Sequence, residues 1–265
     1  MDGTNTSEKR YEKICKVGDG AYSECYLCRS TDLNKEVVLK KIPFDKFNEK
    51  QFQNEVKIHM QCSTIGVVQY LDSFKTKKHF VIVMEPGSID LNEFINKNGP
   101  LKETKVRKAF RNIFMAVDFM HSHKIIHHDI KLENIILKAK QNCDELMLCD
   151  FGLSQIVEGG PLNGRRGTYM YLAPEQIRIG SNSYKSDIYS LGVCLYATLT
   201  GRFPYDGGNE YEYSINVLYN EPNVKLLEEK KVSTELTRAI MGMLKKDPKE
   251  RPSAREVMQQ LYKDF

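Results

Sequence analysis

The apolar period of the chain changes once, at Pro86-Gly87, and that change limits the fold more than any other feature of the sequence. Before it, Tyr11–Val17, Glu24–Arg29 and Lys35–Ile42 are short runs separated by Gly18-Asp19-Gly20 and Asp32-Leu33-Asn34, the pattern of strands joined by turns. Val68–Phe74 and His79–Met84 predict two more strands. Only Phe47, Phe52, Val56 and Met60, spaced near one helical turn, predict a helix, across Phe47–Gln61. Beyond Pro86-Gly87, Lys102–His123 places Val106, Phe110, Ile113, Val117 and Met120 on one face of a long amphipathic helix. Asn134–Leu137 and Leu146–Cys149 read as short strands around a turn. From Ser186 the rest is helical: Ser186–Leu199 stopping at Gly201, then Ser233–Lys245, then a last helix opened by the capping box Ser253-Ala254-Arg255-Glu256. The expected fold class is α+β, with a flexible tail at 1–10, a small β-rich N-lobe with one main helix at about 11–85, a hinge at 85–88, and a larger, mainly helical C-lobe at about 89–265.

Composition excludes several classes. A formal charge of +4 over 265 residues calls for neither nucleic acid nor a membrane surface. Seven scattered cysteines, an odd number with no zinc-site spacing, fit reduced thiols in a cytoplasmic or nuclear protein. No stretch approaches the ~18 apolar residues of a membrane span. Met1–Lys9 has no apolar core for a signal peptide, and Asp2 after Met1 removes the N-myristoylation pattern.

Four segments carry chemistry. The turn Gly18-Asp19-Gly20-Ala21-Tyr22-Ser23, between two predicted strands, can bring backbone N–H groups close to phosphates, although an ordinary hairpin reads the same way. A strand rather than a helix follows it, which disfavours a dinucleotide-binding fingerprint. Lys40 closes the apolar strand Val37-Val38-Leu39, and Glu55 on the following helix could pair with it; a lysine in solvent at a strand end is the plain alternative. Lys41 points to the opposite face and is assigned to solvent. The segment His127-His128-Asp129-Ile130-Lys131-Leu132-Glu133-Asn134 supplies a carboxylate, a cation and an amide in one loop. Asp150-Phe151-Gly152 adds a second carboxylate after a strand. Phosphoryl transfer needs a base at the attacking hydroxyl, positive charge at the transferred group and oxygen ligands for Mg²⁺. Either segment alone could be a polar loop; both in this order, after the glycine turn and Lys40, point to that reaction.

These residues resemble the eukaryotic protein kinase family over nearly the whole chain. The resemblance implies a bilobal fold with a nucleotide between the lobes, and ATP and Mg²⁺ as cofactors. It makes Lys40 the phosphate-binding lysine, Glu55 its partner, Asp129 the catalytic base, and Asn134 and Asp150 the magnesium ligands. Ala173-Pro174-Glu175, Asp187 in Asp-Ile-Tyr-Ser-Leu-Gly and Arg251 are similar to three further motifs, with Arg251 expected to pair with Glu175. Lys131, and Thr168 in Gly167-Thr168-Tyr169, resemble the serine/threonine type, so the implied partners are protein substrates with Ser/Thr acceptors. The nucleotide site would comprise Val17, Gly18, Asp19, Gly20, Ala21, Tyr22, Ser23, Cys25, Val38, Lys40, Met84, Glu85, Gly87 and Ile136. Five of these side chains and motif residues, Lys40, Glu55, Asp129, Asn134 and Asp150, are expected around one magnesium–triphosphate pocket. Glu133, Asp90, Glu210 and Glu212 could favour basic residues near the acceptor. No particular regulatory partner is indicated.

Three positions depart from the family pattern. Ser23 replaces the third glycine and Tyr189 a tryptophan. His128 stands where most members have an arginine that binds a phosphate on the activation loop, and residues 155–167 contain no Ser, Thr or Tyr. Activity is therefore expected not to require phosphorylation there; a protonated His128 standing in for arginine is the alternative. A pseudokinase, the same fold serving as a nucleotide-binding allosteric or scaffold module, is the rival reading. A kinase of small molecules or lipids is disfavoured by the Ala173-Pro174-Glu175 and Asp187 motifs.

Overall fold

The five strands expected before Pro86 form one antiparallel sheet in the computed structural model, which describes residues 10–20, 23–139, 142–157, 162–164 and 166–262. They are β1 (Tyr11–Asp19), β2 (Glu24–Ser30), β3 (Lys35–Pro43), β4 (Tyr70–Lys75) and β5 (His79–Met84), in the order β1-β2-β3-β5-β4. β4 starts later than expected because the Val68 carbonyl is taken by the ring of His59 at 2.7 Å. One helix, α1 (Glu49–Gln61), is started by Asn48 and Gln51, which cap each other's backbone N–H. Alternation along β3 divides the sheet's side chains between two faces. Val37 and Leu39 pack with Cys28, Val81 and Val83 on one face. Ile42, Phe80 and Ile82 pack with Phe52 and Val56 of α1 on the other. Lys41, expected in solvent, does face away from α1 but is half-buried, with its ammonium 5.9 Å from the Tyr26 ring centre. Arg10, the only described residue of the expected tail, pairs with Asp32 and Asp72 at 3.4 Å; the rest of that tail lies outside the described residues.

The described residues fall into two compact units. One runs up to Thr64 and resumes at Val68–Gly87; the other takes in Ile65–Val67 and the chain from Ser88 onward. The second unit contains α2 (Leu91–Asn98), α3 (Glu103–Ser122), α4 (Pro174–Ile179), α5 (Tyr184–Thr200), α6 (Glu210–Tyr219), α7 (Val224–Glu229), α8 (Thr234–Met243) and α9 (Ala254–Leu261). Short strands interrupt them: β6 (Ile125–Ile126) pairs with β9 (Gln155–Ile156), and β7 (Ile135–Ala139) with β8 (Asn142–Leu148). α2 and α4 went unpredicted, being only eight and six residues long, too short to show a period. The expected α+β architecture, a β-rich N-terminal part and a helical C-terminal part, is the one observed.

α3 and α5 build the core of the second unit. α3 is amphipathic and buries Val106, Phe110, Ile113, Val117 and Met120, as its spacing predicted. α5 is buried on every side from Ser186 to Thr200, mostly by apolar residues. Its end is set by Gly201, which takes the left-handed conformation at φ 74°. A buried ion pair ties its flank to distant sequence: Arg251, 2% exposed, places its guanidinium 2.8 and 2.6 Å from the two oxygens of Glu175. The same guanidinium donates to the carbonyls of Lys185, Lys245 and Lys246 and lies 5.0 Å from the ring centre of Tyr189. Tyr189 thus fills its position beneath a cation. Removing one member of such a pair strands the other charge out of water. Arg251→Ala should cost about 3–5 kcal/mol, read as a lowered urea midpoint of the purified chain.

Candidate active site

In the first unit the expected nucleotide-site residues sit on neighbouring strands. The register places Gly18 opposite Cys25, Cys25 opposite Lys40, and Val38 opposite Met84. Directly opposed residues share a face, so Cys25, Val38, Lys40 and Met84 line the side of the sheet that α1 packs on. Lys40 Nζ meets Glu55 Oε1 at 2.6 Å, and the two residues are 8% and 2% exposed. Phe52 and Val56, anchored on Ile42, Phe80 and Ile82, flank Glu55 along α1 and set its helix against β3. At the turn, Gly20 N donates to Ser23 O at 2.7 Å, and Lys16 bridges Asp19 and Glu24 at 2.5 and 2.7 Å. Ala21 and Tyr22 lie outside the described residues. Val17 is exposed, while Ser23, Cys25, Val38, Met84, Glu85 and Gly87 are half-buried. The Glu85 backbone N–H is already donated to Gln69 O at 2.9 Å, and its side chain accepts from Gln69 N at 2.7 Å.

The second unit gathers a different set around one carboxylate. Asp129 Oδ2 lies 2.8 Å from Lys131 Nζ and accepts from Asn134 Nδ2 at 3.0 Å. Asp129 Oδ1 accepts from the Thr168 hydroxyl at 3.1 Å and from its backbone N–H at 3.2 Å. Lys131 Nζ also donates to Thr168 Oγ1 at 3.0 Å, closing a triangle. The Asn134 amide donates again to the Asp129 carbonyl at 2.8 Å. Both its protons are thereby directed at Asp129, so Oδ1 is the atom of Asn134 left for a ligand. Asp150 is exposed, one residue beyond Cys149, whose N–H is held by the Asn134 carbonyl at 2.9 Å. Ile136 is half-buried on β7. An amide oxygen and a carboxylate are hard donors, the kind that suits Mg²⁺ rather than a thiophilic metal. Among the described residues no group of three or more His, Cys, Asp or Glu could hold a metal alone, so Mg²⁺ here would take its further ligands from water and substrate, its usual habit.

Two residues of this site have strained backbones. His128 and Asp150 both adopt positive φ, 70° and 65°, at a typical cost of about 1–3 kcal/mol each. A buried carboxylate offsets the strain at His128. Asp187, in the first turn of α5, accepts from His127 N at 2.9 Å, His128 N at 3.0 Å and His121 Nε2 at 3.0 Å. Burial would push the Asp187 carboxyl up, but the hydrogen bond and charge of His121 foremost hold it below the ordinary range. The imidazoles of His127 and His128 also lie below the usual histidine value, driven there by burial. His127 is further fixed by the Cys149 carbonyl at 3.2 Å and the edge of Phe151. Gly167, at φ 97°, lets the chain pass so close to His128 O that a Cβ would sit 2.6 Å from it.

The sequence marked Asp187 as the start of a helix and as part of a family motif, without a role for its side chain. Its job of holding two backbone N–H groups across sixty residues has no local signal. Gln176 and Asn182, buried polar residues beside Thr168's approach, were also passed over, since isolated amides show no pattern. Of the acids suggested for substrate preference, Asp90 caps α2 and Glu212 accepts from Gly208 N, whereas Glu133 meets the Tyr171 hydroxyl at 3.1 Å and stays exposed.

Comparison with known proteins converges on the same residues' family. Residues 11–263 match the protein kinase domain family. "Serine/threonine-protein kinase PrkC" of Bacillus subtilis is 30% identical, across 94% of this chain and 39% of its own length. "Probable serine/threonine-protein kinase CCRP1" of Zea mays is 31% identical, across 97% of this chain and 42% of its own. "Probable serine/threonine-protein kinase 2" of Plasmodium falciparum is 30% identical, across 74% of this chain and 39% of its own. The chain therefore spans about two fifths of the curated relatives it matches. No helix among the described residues is long and apolar enough to cross a membrane. With the match running through the glycine turn, Lys40, Asp129 and Asp150, the chain belongs to the protein kinase domain family.

Proposed function

We propose that this chain transfers the γ-phosphoryl group of ATP to serine or threonine hydroxyls of protein substrates. The observation that carries the reading is the Asp129 carboxylate held from both oxygens by Lys131, Asn134 and Thr168. Asp129 accepts the acceptor hydroxyl's proton as its oxygen bonds to the γ-phosphorus and the bond to ADP breaks. Lys131 offsets negative charge at the transferred group, and its contact with Thr168 keeps both groups fixed on the base. Mg²⁺, held by Asn134 Oδ1 and Asp150, would supply charge neutralisation at the phosphate oxygens. Lys40, oriented by Glu55, binds the α- and β-phosphates, and the backbone of Gly18–Ser23 covers them. Of the Glu85 backbone groups it is the carbonyl that would serve the adenine edge, its N–H being taken by Gln69. The ion pair Lys40–Glu55 and the intact set at Asp129 favour transfer over a module that only binds nucleotide. Neutral serine and threonine acceptors agree with the names of the relatives.

Asp129→Asn keeps the shape and removes the base. Turnover of ATP with a degenerate peptide library should fall by about a thousandfold, with nucleotide affinity by calorimetry unchanged; equal turnover in both proteins sinks the proposal. In the same library an Arg or Lys preference near the acceptor should disappear in Glu133→Gln.

Phosphate on residues 155–167 is not needed in this reading. His128 is 5% exposed, and burial lowers its imidazole below the usual histidine value, which supports this reading over a protonated stand-in for arginine. Phosphatase-treated and untreated protein should turn over at the same rate. Neutral burial also sets a pH dependence. His127 and His128 are depressed in the folded chain, so below about pH 6.5 the unfolded chain binds more protons. Stability is fully present above that value and falls as pH drops through it, by up to about 1.4 kcal/mol per pH unit for each proton. Urea midpoints between pH 7.5 and 5.5 should show the fall, and His128→Gln should flatten it.

A further inference from the structure

Two buried amides grip the chain just ahead of Thr168. Asn182, 6% exposed, donates from Nδ2 to the Gly164 carbonyl at 2.7 Å and to the Gly180 carbonyl at 3.0 Å. Its Oδ1 accepts from Gln176 Nε2 at 2.8 Å. Gln176, 2% exposed, sends Nε2 also towards the Arg166 carbonyl at 3.4 Å, while its Oε1 accepts from Ala173 N at 2.9 Å. The backbone adds a short antiparallel ladder, 162 against 182 and 163 against 181. Asn182 also lies beside the ring of His128. The grip is one step from the chemistry, because Gly167 follows Arg166 and Thr168 then donates twice to Asp129.

We propose that the Gln176–Asn182 amide pair is a phosphate-independent clamp: it fixes the backbone at Gly164 and Arg166, and through them holds Thr168 against Asp129. In a segment ordered by phosphate, a doubly charged group meets a cation. Here neutral donors meet backbone carbonyls in a buried place, where each amide proton has a defined acceptor and losing one leaves a carbonyl unsatisfied. The neutral imidazole of His128 is the matching partner for such a site, since a buried cation would compete for the same carbonyls. Gln176 and Asn182 are thus positioning residues, acting on the base through Thr168. This inference rests on the phosphotransfer reading for its kinetic consequence, and on the contacts alone for its structural one.

Asn182→Asp keeps the size of the side chain but turns both donations into repulsions. In protein shown by mass spectrometry to carry no phosphate, trypsin should cut after Arg166 slowly in the parent and roughly tenfold faster in Asn182→Asp. kcat should drop roughly tenfold or more while KM for ATP stays within about twofold. Gln176→Leu should reproduce both effects, and it decides the matter if Asn182→Asp does not fold. Parent protein cut as fast as the variants, or variants protected like the parent, overturns the clamp; faster cutting with unchanged kcat overturns its positioning role. A parent that never transfers phosphate ends the functional reading instead, and leaves the cleavage rates to judge the clamp.

Discussion

The second unit is organised by one buried carboxylate. Asp187 sits in the first turn of α5, where the helix's own partial positive charge favours an anion, and there it receives the N–H groups of His127 and His128. Those two bonds hold His128 at a φ that a side chain rarely tolerates and so point the next residue, Asp129, away from the core. Asn134, Lys131 and Thr168 can only converge on Asp129 once the loop has that shape. The helix beneath is the rigid part; the loop takes its geometry from it.

The first unit meets a different problem, burying a cation and an anion together. Neither Lys40 nor Glu55 could be withdrawn from water alone, because desolvation would exceed anything packing returns. The apolar contacts of Phe52 and Val56 bring α1 close enough for the charges to meet, and the sheet register determines which lysine is available. Lys41, one residue on, is turned to the other face by the pleat alone.

Much of this was legible from spacing. The period of two before Pro86, the apolar face of α3, and the box at Ser253, where Glu256 Oε2 accepts from Ser253 N at 2.7 Å, are local patterns, and the chain followed them. Asp129, Lys131 and Asn134, named from the loop at 127–134, do contact one another, because the three lie within six positions and short loops leave little freedom. What spacing alone could not show was long-range pairing of polar groups; Lys40 with Glu55, Arg251 with Glu175 and Thr168 near Asp129 and Lys131 were expected from the family resemblance. Gln176 with Asn182 and Asp187 with His127 had no such guide, because they are joined by folding and an amide or acid in isolation looks like surface. α2, α4, α6 and α7 escaped individual notice for a related reason: short helices lean on neighbours more than on their own period.

A helix with no outward face has a dynamic consequence. The residues of α5 from Ser186 to Thr200 are all buried, so none of its amide hydrogens can meet water by local fraying of an exposed edge. They exchange only when the surrounding helices separate, which makes the second unit a single cooperative block around its slowest-exchanging segment. The floor under Asp129 is then as durable as the whole unit, and loosening it means melting everything packed upon it.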